Sequence, residues 1–560
     1  MHRETSAPAA AALPPPAEMG GRGLLARRAS VVCAAVLASR VLGVVREQVF
    51  AIFFGAGREL DAFITAFRIP NLLRDLFAEG ALSAAFVSTF TQHLERGGDA
   101  AAWRLASLVI NALAVVVGLL TLLGMWVAPA IVEGIAPGFA DIPGKVPLTV
   151  ELTRIMFPFL PLVALAAVAM GILNTRNVFG VPASAAAFFN VGSIVGGLAA
   201  AYWMAPAYVH GIVVAVAAHR QAPTDPALAA RAITGMAIGT LIGGLLQVLV
   251  QVPSLGRVGF RYRPILHAAD PGLRQVMRLM APATIGAAAV QVNVFVNNNF
   301  ASYLGNGPVS WLNVAFRFMQ LPIGLFGVAL GTVTLPLVSR HVARGDRPAL
   351  RRTLAESLEL VGLLCLPAAA GLALFAVPVI GLIYEHGRFT AADTTAAAQA
   401  LAAYTAGLAG YAGIKVLAPA FYALDDARTP MLVSLVSIAV NYALNWTFVR
   451  RLGFGHVGLA LSTSAVALGN FGLLYLVLRR RIGALGGRLR AALARIAVAT
   501  AVMAAVAGGL DVVVAAHLPA AGALRHALRL AVAMPVAAVC FWATCRALGV
   551  AVPLPRRRRG

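Results

Sequence analysis

Charge is scarce in this chain. Only 12% of its 560 residues are Asp, Glu, Lys or Arg, whereas 60% are hydrophobic. The mean hydropathy is +0.82. Soluble domains carry about a quarter charged residues, so this composition excludes a soluble globular protein. Apolar runs of about 20 residues, each long enough to cross the hydrocarbon core of a bilayer, recur along nearly the whole sequence.

Cysteine is scarce as well. The four cysteines are scattered in apolar segments at Cys33, Cys365, Cys540 and Cys545. They show neither a disulfide pattern nor the spacing of metal ligands. We expect small buried thiols, the usual state of a free cysteine, and no metal or cofactor.

Acidic residues are half as frequent as basic ones, 22 against 45, and the formal net charge is +23. The distribution of the basic residues argues against nucleic acid as a partner. Alternating the apolar spans places most loop arginines on one side, at 27–28, 257–263, 340–352, 479–490 and 556–559. This bias orients membrane proteins and predicts cytoplasmic termini. We therefore expect a multi-pass membrane protein.

The apolar runs predict an all-α polytopic membrane protein with about fourteen transmembrane helices. The predicted spans are 27–54, 60–92, 102–128, 148–173, 182–203, 232–252, 273–303, 309–337, 354–380, 394–420, 428–450, 456–478, 491–513 and 524–548. Between the fifth and sixth spans, the prolines of the long outer segment 204–230 argue against a regular continuous helix.

A repeat divides the chain. Ala66-Phe67-Arg68 recurs as Ala315-Phe316-Arg317 at an offset of 249 residues. Long-ranged self-similarity indicates two homologous bundles. Two parallel six-helix lobes around a central cavity are a transporter architecture. The predicted units are a disordered cytoplasmic tail at 1–24, an N-lobe at 25–255, a C-lobe at 256–482, two extra helices at 483–550 and a basic cytoplasmic tail at 551–560.

Ten charged residues lie between positions 39 and 79, within two segments that otherwise read as membrane helices. Ionisable residues inside a membrane are costly and usually functional. Arginines from both halves are expected to converge on the cavity, namely Arg40, Arg46, Arg68, Arg74 and Arg317. Acids of the same stretch, among them Glu47, Asp61 and Glu79, are expected to neutralise them when the cavity is empty.

Arginine suits phosphate, because its planar fork donates two parallel hydrogen bonds and keeps its charge in any environment. The cluster therefore predicts an anionic substrate such as a diphosphate. The alternative is that the charges only pair helices together, or that arginines near helix ends snorkel to the interface. Arg58 and Glu59 flank an outer turn and are expected to be solvated.

Other polar residues carry weaker signals. Asparagines at 293, 297–299, 441 and 445 offer oxygen ligands to a small cation, but hydrogen bonding between helices explains them more simply. Lys415 is a secondary candidate for the cavity. No catalytic constellation and no phosphate-binding loop is present, which predicts a transporter and not an enzyme.

Several runs resemble a known family. They are Ser39-Arg40-Val41-Leu42-Gly43-Val44-Val45-Arg46-Glu47, Phe54-Gly55-Ala56-Gly57, Asp61-Ala62-Phe63, Pro70-Asn71-Leu72-Leu73-Arg74, Phe77-Ala78-Glu79-Gly80-Ala81, Val309-Ser310-Trp311 and Lys415-Val416-Leu417-Ala418-Pro419. On these runs the chain resembles the MurJ (MviN) family of the multidrug/oligosaccharidyl-lipid/polysaccharide exporter superfamily, and the resemblance covers about residues 25 to 480.

The resemblance implies a multi-pass flippase of the bacterial cytoplasmic (inner) membrane. Its substrate would be lipid II, the undecaprenyl-diphosphate-linked MurNAc-pentapeptide-GlcNAc precursor of peptidoglycan. It implies fourteen helices, of which the last two border a groove for the lipid tail. Key cavity positions of the family correspond to Ser39, Arg40, Arg46, Asp61, Arg74 and Arg317, and Glu47 and Glu79 match acidic positions of the same motifs. Lipid II and membrane lipids are the expected partners, with the cell-wall synthesis machinery as a further one.

Two other functions remain open from the sequence. One is a cation-coupled drug or polysaccharide exporter of the same fold, for which an acid-dominated cavity is expected. The other is a membrane scaffold for cell-wall synthesis, which needs an exposed partner surface and not an inward charge cluster.

Overall fold

The structure is a computed structural model that describes residues 19–74, 82–218, 220, 225–517 and 522–550, without the side chains of 19–29, 73–74, 82–84 and 281–290. Every regular element in these ranges is a helix, as predicted. The first half contains α1 Met19–Phe54, α2 Arg58–Arg74, α3 Leu82–Trp126, α4 Ala128–Ile135, α5 Lys145–Met156, α6 Phe159–Thr175, α7 Gly180–Met204, α8 Pro206–Ala217, α9 Pro226–Leu249 and α10 Val252–Arg257.

The second half repeats this plan and adds a C-terminal pair. Its helices are α11 Pro271–Ser302, α12 Pro308–Pro322, α13 Ala329–Ala343, α14 Arg347–Leu374, α15 Ala376–Tyr384, α16 Ala391–Thr405, α17 Leu408–Ala423, α18 Arg428–Asn445, α19 Gly455–Ile482, α20 Gly487–His517 and α21 Gly522–Ala547. Two π-helical segments, Ile323–Val328 and Trp446–Arg451, follow α12 and α18.

Ten spans in the described residues are long and apolar enough to cross a membrane, and α16 with α17, bent by 42°, makes an eleventh. Helix α1 is not among the ten, because Arg40, Arg46 and Glu47 lie in its apolar part. Helix α2 is only 17 residues long. The total of fourteen therefore stays a prediction, whereas the polytopic helical architecture is confirmed.

Two helices, α9 and α11, begin at an Asp-Pro pair. Asp225 caps α9 by accepting hydrogen bonds from the amides of Ala227 and Leu228 at 2.9 and 3.2 Å. Asp270 caps α11, which also begins at a proline, in the same way. A carboxylate at the N-cap satisfies amides that have no partner within the helix, and proline fits the first turn because it lacks one. Proline also begins α8, so the segment 204–230 contains a short helix that the sequence did not predict.

The tightest packing in the first half joins α7 to α9 through glycine. A Cβ on Gly239 would lie 2.2 Å from Gly197 Cα, and one on Gly235 would lie 2.4 Å from Ala201 N. Small residues four apart on one face let two helix backbones approach closely, the usual device for helix pairs in a membrane.

The repeat offset reappears as a physical contact. Asp61, in the first turn of α2, accepts hydrogen bonds from Ser310, in the first turn of α12 and 249 positions later. Equivalent residues of two repeats meet only near the axis that relates the repeats. We call the end of the bundle that contains this contact the Asp61 end, and the opposite end, where the arginine-rich loops lie, the basic end.

Helix α11 packs with both halves. Its early residues Leu273, Val276 and Met280 belong to the hydrophobic cluster of α3 and α6. Its late residues Phe300 and Ala301 belong to the large cluster of the second half. The division of the chain at 255 and 256 stays a prediction.

The C-terminal pair packs on the second half. Helix α20 lies against α14, and α21 lies against α15. The two helices are joined by a nearly buried bidentate ion pair, in which Arg529 Nε and Nη2 donate to the two carboxylate oxygens of Asp511 at 2.9 and 2.5 Å.

Candidate functional site

An ion pair between α1 and α12 joins the two halves. Arg317 Nη2 on α12 lies 2.6 Å from Glu47 Oε1 on α1. The Arg317 side chain is 50% exposed and the Glu47 side chain 14%. Because a charged side chain is not expected to face lipid, this exposure indicates a water-accessible space between the halves. The hydroxyl of Tyr384 on α15 donates to Glu47 Oε2 at 3.3 Å. The sequence did not single out Tyr384, which ends a short apolar helix and reaches Glu47 only through the fold.

Arg46 and Arg40 lie on the same helix as Glu47. The Arg46 guanidinium lies over the ring of Phe189, 5.2 Å from its centroid, and interacts electrostatically with Tyr384. Arg40 is exposed, and its Nη1 lies 4.0 Å from the position that a Cβ on Gly324 would take. Gly324 belongs to the π-helical segment after α12, and such segments are frequent at functional sites.

Arg68 is the repeat equivalent of Arg317. It interacts electrostatically with Arg317 and with Tyr404, whose ring packs edge-on against Phe316 at 5.4 Å. Two neighbouring guanidinium groups repel each other, and an anion placed between them relieves that repulsion. We refer to Arg40, Arg46, Glu47, Arg68 and Arg317 as the arginine cluster.

Of the three other predicted site residues, the structure describes Ser39 fully and Arg74 in part. Ser39 is half-buried, and its backbone carbonyl accepts a hydrogen bond from Asn190 Nδ2 at 3.0 Å. Arg74 is the last residue of α2, and only its backbone is described. Glu79 lies outside the described residues.

Asp61 does not pair with the arginine cluster, contrary to expectation. Its fully buried carboxylate lies 3.0 Å from the Nζ of Lys145, which is equally buried. It also accepts hydrogen bonds from the amides of Gly307 and Ser310 and from the Ser310 hydroxyl, at 2.7, 2.9 and 2.7 Å. The charge is stabilised at a helix N-terminus, where backbone amides point at an anion. Asp61 therefore holds the two halves together at the Asp61 end.

Lys145 was missed as a functional residue. Besides Asp61, its ammonium contacts Gly305 O at 3.3 Å and Asn306 Oδ1 at 2.9 Å, and it lies 4.0 Å from the centroid of the Phe139 ring. The only available signal was its rarity, because the chain has just two lysines. Its neighbour Gly144 has the left-handed backbone that starts α5.

The expectation for Glu59 was wrong. Glu59 is 4% exposed and pairs with Arg58, whose Nη2 also donates to Pro226 O at 3.0 Å. The turn before α2 is covered by the start of α9, a contact between distant segments that a local reading of the sequence does not reveal.

The asparagines of α11 and α18 form a hydrogen-bond network between helices. Asn297 Oδ1 accepts from Asn441 Nδ2 at 3.1 Å and from Asn445 Nδ2 at 2.8 Å. Asn297 Nδ2 donates to Thr463 Oγ1 at 3.0 Å, and Ser462 donates to Asn445 Oδ1. The simpler interpretation, hydrogen bonding between helices, is confirmed.

Lys415 is exposed and belongs to the surroundings of the arginine cluster. Its Cγ lies 3.7 Å from the position of a Cβ on Gly327, in the π-helical segment that Arg40 also approaches. The segment is thus flanked by two cations, one from each half. Within the described residues, the centre of the protein therefore has a positive excess with one carboxylate, Glu47, in the middle.

Comparisons with known proteins agree with this chemistry. A family model described as "Lipid II flippase MurJ" matches residues 50–521. A protein of Burkholderia cenocepacia named "Lipid II flippase MurJ" is 38% identical over 449 residues, which is 80% of this chain and 82% of that protein. A "Probable lipid II flippase MurJ" of Vibrio cholerae is 35% identical over 452 residues, 80% of this chain and 81% of that protein.

Solved structures share the fold. A structure titled "Lipid II flippase MurJ, inward closed conformation" superposes with a TM-score of 0.71 at 24% identity, covering 92% of this chain and 99% of that one. An inward-facing multidrug resistance MATE family transporter of the MOP superfamily superposes with a TM-score of 0.64 at 14% identity, covering 82% of this chain and 98% of that one.

Proposed function

The chain belongs to the lipid II flippase MurJ family, and on this premise we propose that it moves lipid II from the inner to the outer leaflet of the cytoplasmic membrane. The substrate carries a diphosphate between a polyprenyl tail and a sugar-peptide head group. In this proposal the arginine cluster binds the diphosphate, while the tail stays in the lipid.

The observation that carries the proposal is the pair between Glu47 and Arg317. It joins the halves at the place where the other arginines gather, so a diphosphate that binds Arg317 must compete with Glu47 for the guanidinium. Arginine can donate two parallel hydrogen bonds to either group. Substrate binding would release Glu47 from Arg317 and leave Tyr384 as its remaining contact across the halves.

Transport then proceeds by alternating access. The Asp61 end is closed in this structure by the bonds from Gly307 and Ser310 to Asp61. With the basic end in the cytoplasm, as the arginine-rich loops favour, the Asp61 end faces outward. Both termini are then cytoplasmic, and the cell-wall synthesis machinery is a proposed partner on the outer side.

A drug exporter of the same fold is less well supported. A cationic drug requires acidic groups, whereas the arginine cluster, as far as the structure describes it, contains four arginines and one carboxylate. A scaffold requires an exposed partner surface, and the features described above point inward.

The proposal is tested with the full chain in proteoliposomes that contain fluorescent lipid II, with transfer to the opposite leaflet measured by dye quenching. We expect at least tenfold slower transfer for Arg317→Ala and Arg46→Ala, because each removes a charge-assisted contact to the diphosphate. Arg451→Ala is the matched control, since Arg451 lies over Trp446 at a helix end. Transfer by the wild-type chain no faster than in protein-free vesicles would overturn the function.

A further inference from the structure

A loop of the second half docks on the end of α1. The Arg388 amide donates to Ile52 O at 2.9 Å. A Cβ on Gly387 would lie 2.4 Å from the same Ile52 oxygen, and one on Gly55 would lie 2.4 Å from Arg388 O. Both glycines have positive φ, 63° and 61°. The two backbones therefore touch directly, and only glycine fits on either side.

The repeat supplies a counterpart to this contact. Gly138, which is 249 positions before Gly387, docks on the end of α11, the second-half equivalent of α1. Its amide donates to Ser302 Oγ at 3.1 Å, and a Cβ on Gly138 would lie 2.6 Å from Tyr303 N. Each half thus places a glycine against the last turn of the first helix of the other half, Gly387 from a loop and Gly138 from the short 3-10 helix Pro137–Asp141.

The loop of the second half is fixed to its own half. Phe389, next to Arg388, is 1% exposed within the core of the second half. Thr390 and Asp393 form a capping box at the start of α16, and Trp311 Nε1 donates to Asp393 Oδ1 at 2.9 Å. Arg388 must therefore move with the second half, while Ile52 moves with the first.

A side-chain bond reinforces one of the two contacts. Arg388 Nη1 donates to the hydroxyl of Tyr208 on α8 at 2.7 Å, and that hydroxyl donates to Phe53 O at 2.6 Å. Tyr208 is 1% exposed. The last carbonyls of α1 have no partners within the helix. Arg388 satisfies the carbonyl of Ile52 only while the halves are together, whereas Tyr208 satisfies that of Phe53 from within the first half.

We propose that the loops at Gly138 and Gly387 are two repeat-related latches that must open together when the Asp61 end opens during transport, with Arg388 and Tyr208 as positioning residues of the second latch. The proposal rests on the alternating-access function proposed above. It goes beyond the Asp61 contact because it assigns the closure of the Asp61 end to two further contacts between the halves, at Gly138 and at Gly387.

Hydrogen–deuterium exchange of the full chain in detergent tests this coupling. Gly138→Ala forces a Cβ into the backbone of α11, and we expect at least tenfold faster exchange in its own loop and also in residues 385–390 of the other latch. Tyr208→Phe keeps the ring and removes the hydrogen bonds of the hydroxyl. We expect it to accelerate exchange at least tenfold in residues 385–390 and also in residues 136–145. Gly134→Ala is the matched control, because a Cβ there meets nothing within 4 Å.

Faster exchange confined to the altered loop, or unchanged exchange in both, overturns the proposal. Tyr208→Phe keeps the test decisive if Gly138→Ala does not fold, as judged by size-exclusion chromatography. The readout does not depend on lipid II. If exchange in the two latches is not coupled but the wild-type chain transports normally in proteoliposomes, the latches alone are refuted. If exchange is coupled but the wild-type chain does not transport, the function alone is refuted.

Discussion

Lys145 is the residue on which the Asp61 end depends most, and its replacement makes a quantitative prediction. Lys145→Met keeps the length of the side chain and removes the cation. Asp61 then stays buried with its three hydrogen bonds from the second half but without a countercharge. Breaking a buried ion pair by removing one partner costs about 3–5 kcal/mol. We expect a loss of that size in the free energy of unfolding.

Removing the acid of the pair should lower the free energy of unfolding by less than removing the lysine. In Asp61→Asn the Lys145 ammonium keeps Gly305 O, Asn306 Oδ1 and the Phe139 ring. We therefore expect about 2–3 kcal/mol, the cost of weakened charged hydrogen bonds. The double variant leaves no unpaired charge, so its loss should fall below the sum of the single losses by about 1–3 kcal/mol, the coupling typical of contacting residues.

The free energies are measured by unfolding the purified chain in mixed micelles with increasing sodium dodecyl sulfate. Lys415→Met is the matched control, because Lys415 is the only other lysine and is exposed. It should change the stability by less than about 0.5 kcal/mol. Additive single losses, or a Lys145→Met variant as stable as the control, would refute the reasoning about the buried pair.

Three further changes test the packing and the loops. Gly239→Ala should lower the thermal midpoint by several degrees, because its Cβ would meet backbone at 2.2 Å, whereas Gly118→Ala, with nothing within 4 Å, should not. Arg529→Met leaves the carboxylate of Asp511 unpaired and should cost about 3 kcal/mol in the same micelle titration. Hydrogen bonds from the start of α18 hold the pKa of Asp426 below its ordinary value of 3.8. Its stabilisation is therefore present above about pH 4 and lost as the pH falls through the lowered pKa. The difference in thermal midpoint between wild type and Asp426→Asn should shrink between about pH 6 and pH 3; a constant difference would contradict this.

The sequence predicted what is local or periodic. The apolar runs mark most helices to within a few residues, although α9 begins at Pro226 and the predicted sixth span begins only at 232. The offset of 249 in the sequence alone places Arg68 and Arg317 in equivalent positions of the two repeats. A pairing of Arg317 with an acid from the first half was also expected, because unpaired charge inside a membrane is costly.

What the sequence could not supply are contacts between distant segments. Asp61 was assigned to the arginine cluster because it lies in the same charged stretch, yet helical geometry carries it to the N-terminus of α12 and to Lys145. Glu59 was expected to be solvated because it adjoins a turn, but the start of α9 covers that turn. Tyr384 reaches Glu47 from 337 positions away, and no local pattern indicates such a contact.

The shortage of lysine gives the chain an unusual chemical surface. Amine-reactive reagents modify lysine side chains, and only two are present. Lys145 is sealed at zero exposure, whereas Lys415 is exposed beside the π-helical segment that follows α12. An amine-reactive dye therefore has one accessible side chain in the described part of the wild-type protein, and this side chain lies next to the arginine cluster. Labelling chemistry can thus place a reporter beside the cluster without altering a single residue.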